Sequence, residues 1–188
     1  MPVLFVNACL RGEKSRTLEL CREYLAQVGD QVVEVDLARL RLKPYDAERV
    51  AYRSQLQKAG VLDDAVFGLA HQFAEADDIV IGAPYWDLSF PAALKVYFEH
   101  VSAYDVTFRY TEEGRCEGMC RATRLTYITT CGGFVDGANY GYEYVCGLAK
   151  MFGIPEVRFV AAEGLDVVGI NVDEQMGKAR EQMAKLEK

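Results

Sequence analysis

The stretch Pro2–Gly29, PVLFVNACLRGEKSRTLELCREYLAQVG, decides the fold. Pro2 to Ala8 is a short apolar run without polar alternation, the pattern of a strand buried on both faces of a parallel sheet. A polar turn follows. From Ser15 the residues Leu18, Cys21, Leu25 and Val28 recur at helical spacing, and Gly29 ends the helix. A strand that passes through a tight turn into a helix aims the first helical N–H groups back at that turn. Those groups have no intrahelical partner, and the macrodipole makes that end favourable for an anion. Ser15 and Thr17 add hydroxyls, and Arg11, Lys14 and Arg16 add positive charge. The turn carries neither G-x-x-x-x-G-K-[ST] nor G-x-G-x-x-G, and Ser or Thr at a helix start is also an ordinary N-cap. The segment alone leaves capping and phosphate binding both open.

The same strand-to-helix alternation runs through the rest of the chain. Gln31–Leu37, Asp78–Ala83, Leu125–Thr130 and Val157–Ala161 read as further strands. Helical spacing covers Leu62–Glu75, with Leu62, Val66, Leu69 and Phe73 inward, then Pro91 to Ala103, Tyr142–Phe152 and Asp173–Leu186. The last of these is so charged that it reads as a solvated face. Ala38 to Gly60 is a polar excursion, with Pro44-Tyr45-Asp46 as a turn and a short helix after it, suited to a partner-facing lobe or a mobile flap. Asp105 to Arg121 is irregular, with a hairpin about Glu113-Gly114. The expectation is an α/β fold of one domain over residues 1–188: a doubly wound, five-stranded parallel sheet of order 2-1-3-4-5. Such sheets bind ligands beyond the carboxyl ends of their strands, where the order reverses between strands 1 and 3.

Bulk composition agrees. The 188 residues are 51% hydrophobic and 26% charged, which suits a single globular core, and a net charge of −7 argues against nucleic-acid or anionic-membrane partners. No apolar run approaches the ~20 residues of a membrane span, and no basic, then apolar, leader is evident. Six cysteines in a core-rich chain do not read as a disulfide framework, and Cys116-x-x-x-Cys120 without a nearby His is a weak zinc signal. A reduced, cytoplasmic protein without a metal is expected.

Three loops fall at the switch point: Cys9–Ser15, Pro84–Phe90 and Cys131–Asn139. The second, PYWDLSF, places Tyr85 and Trp86, the chain's one tryptophan, at an exposed strand end. Large aromatics there invite a flat partner, since stacked rings gain ~0.5–1.5 kcal/mol beyond area burial. The third follows Thr130 with Cys131-Gly132-Gly133, whose paired glycines let backbone N–H groups approach a ligand edge. A phosphate at one end and a planar, acceptor-rich ring at the other satisfy all three loops, and FMN has both. Charge-assisted hydrogen bonds contribute ~1.5–3 kcal/mol each, and micromolar to nanomolar binding requires ~8–12 kcal/mol, so a few phosphate contacts plus ring burial suffice. His71 and His100 form no constellation with a carboxylate, and no side-chain catalyst is expected.

These stretches resemble a known family. VNACLRGEKSRT, APYWDLSFPAALKVYFEHV, VTFRYTEEG, TTCGG and FVAAEG are similar to the FMN-dependent NADH:quinone reductases, also called azoreductases, over nearly the whole chain. The resemblance implies a flavodoxin-like fold, FMN rather than FAD, NAD(P)H as co-substrate, and two-electron, ping-pong reduction of quinones or azo compounds by a homodimer whose flavin sites are completed by the partner chain. It places Cys9, Ser15, Arg16 and Thr17 at the phosphate. Pro84, Tyr85, Trp86, Asp87 and Leu88 fall along the isoalloxazine, and Thr130, Cys131, Gly132 and Gly133 at its pyrimidine edge. Phe108 and Tyr110 would border the substrate. Two residues depart from the family pattern: Cys9 stands where Ser is usual, a weaker donor, and Asp87 where Asn is common, which removes a side-chain donor. A flavodoxin-like one-electron carrier, or a flavin-free binding module on the same fold, are the alternative readings.

Overall fold

Val3–Asn7 (β1) is buried at every position, and its side chains divide by parity between two cores. Leu4 and Val6 join one cluster, whereas Val3 and Phe5 join the other. Asp78–Gly82 (β3) repeats the pattern, Ile79 and Ile81 on one side and Val80 on the other. A strand covered on both faces is chiefly apolar, which explains the continuous apolar runs, with Asn7 as the buried polar residue where β1 ends. Each fully buried aliphatic or aromatic side chain of these clusters contributes ~1.5–3 kcal/mol.

The structure, a computed structural model, describes residues 3–28 and 31–186. Pro2, the Gly29 helix stop and the final Lys188 lie outside the described residues. Arg16–Val28 (α1) follows the first turn. The chain continues through Val32–Asp36 (β2), Leu37–Leu40 (α2), Ala47–Ala59 (α3) and Gly68–Glu75 (α4) before β3. Ala92–Val101 (α5), Phe108–Tyr110 (β4), Cys116–Gly118 (β5), Arg124–Thr130 (β6), Tyr140–Phe152 (α6), Glu156–Ala162 (β7) and Val172–Leu186 (α7) complete it. The main sheet has order β2-β1-β3-β6-β7 with every pairing parallel, so the expected 2-1-3-4-5 order holds. The α1 and α7 helices cover one face, and α4, α5 and α6 the other. The expected hairpin is β4 against β5.

Three expectations change. The segment after Asp46 is a full helix of 13 residues. Its Asp46 carboxylate accepts the Arg49 N–H at 2.8 Å, and Gly60 closes it at φ 70°. None of its residues is buried, so it has no apolar stripe from which sequence periodicity could reveal it. The α3 helix is tied down by Arg53, whose guanidinium donates to the last-turn carbonyls of α5, Glu99 O at 3.1 Å and Ser102 O at 2.6 Å. Second, Leu62–Glu75 is broken: a 3-10 turn over Ala65–Phe67, with Asp64 as its N-cap, precedes α4, and the buried residues are Phe67, Ala70 and Phe73. The expected Phe73 is buried and Leu62, Val66 and Leu69 pack partly buried against the cores, with Phe67 and Ala70 added to the inward face. Third, α7 is charged outside but buries Met176, Ala179 and Met183 against the sheet.

Candidate functional site

The carboxyl ends of β1, β3, β6 and β7 converge on one side of the sheet, and each carries a loop that is hydrogen-bonded to its neighbour's. At the end of β1 the Asn7 Oδ1 accepts the Cys9 N–H at 2.9 Å, which turns the chain out of the sheet. Gly12, at φ 56°, begins a 3-10 turn, and Ser15 leads into α1. The Ser15 Oγ accepts the Leu18 N–H at 3.3 Å, so it is an N-cap. The N–H groups of Arg16 and Thr17 have no intrahelical acceptor and head into the site. The Thr17 hydroxyl, fully buried, meets the Thr130 hydroxyl at 2.7 Å and joins the first loop to the end of β6.

After β3, the Tyr85 N–H donates to Thr130 O at 3.0 Å. Trp86 and Ser89 then exchange backbone hydrogen bonds of 3.1 and 2.8 Å around Asp87 and Leu88, whose φ angles are 49° and 66°. Two successive positive φ angles make a type I′ turn, ordinarily a place for Asn-Gly. The turn holds the Trp86 ring out, 42% exposed, with Leu88 beside it at 53%. The Asp87 side chain makes no hydrogen bond among the described residues. Tyr85 Oη donates to Ala138 O at 2.8 Å, tying this loop to the glycine-rich one.

The glycine-rich loop is in turn locked to the loop after β7. Gly164, Leu165 and Asp166 N–H donate to Gly133, Cys131 and Gly132 carbonyls at 2.9, 3.1 and 2.9 Å. The N–H groups of Gly132 and Gly133 take no partner within the described residues. A Cβ on Gly132 would stand 2.6 Å from the Asp166 carboxylate, so only glycine leaves the surface there bare. Asp166 also pairs with Arg16 at 3.0 Å, and the same Nη1 donates to Leu165 O at 3.3 Å. Burial first, then the Glu163 charge, pushes the Cys131 thiol up to about 12, so it is an inert thiol.

Together these loops enclose a cavity of about 120 Å³ lined by Arg11, Ser15, Arg16, Thr17, Pro84, Tyr85, Trp86, Thr130, Cys131, Gly132, Leu165 and Asp166. Nine of the residues singled out from sequence meet there: Ser15, Arg16, Thr17, Pro84, Tyr85, Trp86, Thr130, Cys131 and Gly132. Asp87, Leu88 and Gly133 flank it without lining it. Cys9 lies elsewhere: its thiol donates to Gly82 O at 3.5 Å and its N–H is taken by Asn7. Phe108 and Tyr110 form an aromatic cluster with Tyr104, ring centroids 5.8–6.3 Å apart, away from this cavity. His71 and His100 bond Leu62 O and Lys43 O, and no metal-binding cluster occurs among the described residues.

Leu165 and Asp166 were absent from the sequence reading. Their loop has no motif of its own. The signal was the glycine at 164, required at φ 74° where the chain turns back across the site.

The donor set suits a cofactor with one phosphate: two backbone N–H groups, two hydroxyls and two guanidinium groups at a helix start. The free Gly132 and Gly133 N–H groups suit an acceptor-bearing ring edge, and Trp86 suits its face. Comparison with known proteins supports the same assignment. Residues 1–186 match a family model described as a flavodoxin-like fold. The chain is 32% identical to the FMN-dependent NADH:quinone oxidoreductase of Coprothermobacter proteolyticus, over 99% of this chain and 98% of that one. It is 30% identical to the protein of the same name from Clostridium perfringens, with the same coverage. Among solved structures, an azoreductase from Bacillus anthracis is 26% identical and superposes with a TM-score of 0.86, covering 99% of this chain and 98% of its own.

Proposed function

The chain belongs to the flavodoxin-like family of FMN-dependent NADH:quinone oxidoreductases, and from that membership we propose that it transfers two electrons from NAD(P)H to quinones or azo compounds through bound FMN. The observation that carries the proposal is the meeting of the anion-binding start of α1, the Trp86 face and the unpaired Gly132-Gly133 donors around one cavity.

Ser15, Arg16 and Thr17, with Arg11, hold the phosphate. Tyr85 and Trp86 would wall the ring, and the Gly132 and Gly133 N–H groups, without a partner among the described residues, would donate to an acceptor edge of it. The Asp87 N–H supplies the contact that its carboxylate cannot. Bound FMN would supply the redox chemistry that links NAD(P)H oxidation to two-electron reduction of the acceptor. The protein binds, orients and shields; no side chain has to move a proton, in keeping with histidines whose rings are already engaged.

A cavity of about 120 Å³ holds the phosphate end but is smaller than the ~300–1,000 Å³ of a complete small-molecule site. Trp86, which lines it, and Leu88, two residues on in the same turn, stand exposed. A homodimer in which a second copy covers this turn, with Phe108 and Tyr110 bordering the acceptor, accounts for both facts. The chain acts as one domain. Its six free cysteines suit the reducing cytoplasm, and no helix among the described residues is long and apolar enough to cross a membrane.

The test is the visible spectrum of FMN-loaded protein, kept anaerobic, before and after NADH. Direct bleaching that recovers on adding a quinone is expected. Bound flavin that ignores both NADH and NADPH would overturn the reductase reading in favour of an electron carrier.

A further inference from the structure

Two thiols at the base of the site have no part in it. Cys9 and Cys21 are 3% and 0% exposed, and both lie against Gly82. The Cys9 thiol donates to the Gly82 carbonyl at 3.5 Å, while a Cβ on Gly82 would stand 2.5 Å from the Cys21 Sγ. Each thiol also shifts the ionisation of the other. On its outer side Cys9 forms part of the wall of a second cavity, about 790 Å³, which Asn7, Arg22, Glu34 and Asp36 also line. That cavity admits a small polar oxidant to Cys9, with Cys21 behind it.

We infer that Cys9 and Cys21 are a peroxide-reactive dithiol whose oxidation to a disulfide disables the anion-binding turn between them. The order of events follows from their surroundings. The neighbouring Cys21, and secondarily Ser15, pull the Cys9 thiol below its ordinary value against burial and against the Glu34 and Asp36 charges. Burial, and then Cys9 itself, hold Cys21 well above its own. Cys9, which borders the cavity while Cys21 lies fully buried behind it, is the thiol that meets the oxidant and attacks.

Hydrogen peroxide is the oxidant. The Cys9 thiolate attacks one peroxide oxygen, the O–O bond breaks, and hydroxide leaves and is protonated to water, giving a sulfenic acid on Cys9. The Cys21 sulfur then attacks the Cys9 sulfur; the S–O bond breaks and water departs with the Cys21 proton. Two thiols and one peroxide become one disulfide and two waters. Because a disulfide draws the sulfurs to ~2.05 Å with a fixed dihedral, Cys9 leaves the Gly82 carbonyl. The segment carrying Arg11, Ser15, Arg16 and Thr17 is then closed into a covalent loop. That loss of alignment lowers phosphate affinity, a consequence that rests on the flavin reading; formation of the disulfide does not.

The experiment treats the whole wild-type protein with hydrogen peroxide, alkylates remaining thiols and digests with trypsin. Cleavage after Arg11, Arg16 and Arg22 puts Cys9 and Cys21 on separate peptides, the second being Thr17–Arg22. A disulfide-linked pair of these peptides, reversed by dithiothreitol, is expected. Cys21→Ser should abolish it and leave a dimedone-trapped sulfenic acid on Cys9. Oxidised protein should bind FMN about tenfold more weakly. Recovery of Cys9 and Cys21 both alkylated while exposed Cys116 is oxidised would overturn the inference, and unchanged FMN affinity in the disulfide form would overturn its regulatory half. Reduced protein that binds no FMN counts against the flavin reading alone, and the linked peptides then still establish the dithiol.

Discussion

Thr17 and Thr130 meet hydroxyl to hydroxyl at 2.7 Å, the first from the opening turn of α1 and the second from the last residue of β6. The bond spans 113 residues of sequence and joins the phosphate end of the site to the ring end. Thr17→Val keeps the shape and removes the hydroxyl. The half-buried Thr130 hydroxyl then loses its partner, which costs about 1 kcal/mol. Urea unfolding should show that loss, and FMN titration should show weaker binding even where the protein remains folded.

Arg16 is held by Asp166 and Leu165 O through one nitrogen, Nη1, so its other guanidinium donors remain for the phosphate. Arg16→Ala should weaken FMN by about tenfold to a hundredfold, the equivalent of one charge-assisted hydrogen bond. Riboflavin, which lacks the phosphate, should bind equally to both proteins. Equal losses for the two ligands would show that Arg16 acts by holding the loops together instead.

The ring face is tested at Trp86. Trp86→Ala should raise the FMN dissociation constant about tenfold by removing a stacked aromatic surface. The adjacent turn makes a separate prediction. Asp87→Val puts a β-branched residue at φ 49°, a position it resists, and should cost ~1–2 kcal/mol on thermal unfolding. Asp87→Gly should be neutral or mildly stabilising.

Gly118, at the end of β5, is packed so closely on the end of α6 that a Cβ would stand 1.9 Å from the Gly153 nitrogen. Backbone cannot move aside as a side chain can. Gly118→Ala should lower the melting temperature by ~6–12 °C, corresponding to a loss of ~3 kcal/mol in a chain of this size.

Alkaline pH should destabilise the fold. Burial pushes the Cys120 thiol up to about 12, and burial with the Glu163 charge does the same for Cys131, against 9.0 for a free thiol. Above the free-thiol value the unfolded chain releases these protons and the folded chain does not, so stability is full below pH 9 and falls as pH rises toward 12. The Cys120→Ala and Cys131→Ala double variant should show a shallower fall in melting temperature across that window.

The strands were legible because those covered on both faces are chiefly apolar, and each apolar run began or ended within a residue or two of its strand. The α3 helix was not. Its cap at Asp46 and stop at Gly60 stood in plain view, but with no buried face its length had no periodic signature. Within the site, Ser15, Thr17, Trp86 and Gly132 were readable from local chemistry. Asp166 was not, since its place depends on three backbone bonds between distant loops. Cys9 was adjacent to the turn in sequence, yet Asn7 and Gly82 rotate it out of the cavity.

The crossovers that make every main-sheet pairing parallel also set when the protein can come into being. The loop that locks Gly132 and Gly133 lies beyond β7 and pairs with residues synthesised more than thirty positions earlier. During translation, then, the first four strands can emerge and collapse while the ligand site has no fixed floor. Only after Asp166 has emerged from the ribosome can the site close, so the binding site is among the last features of the domain to form.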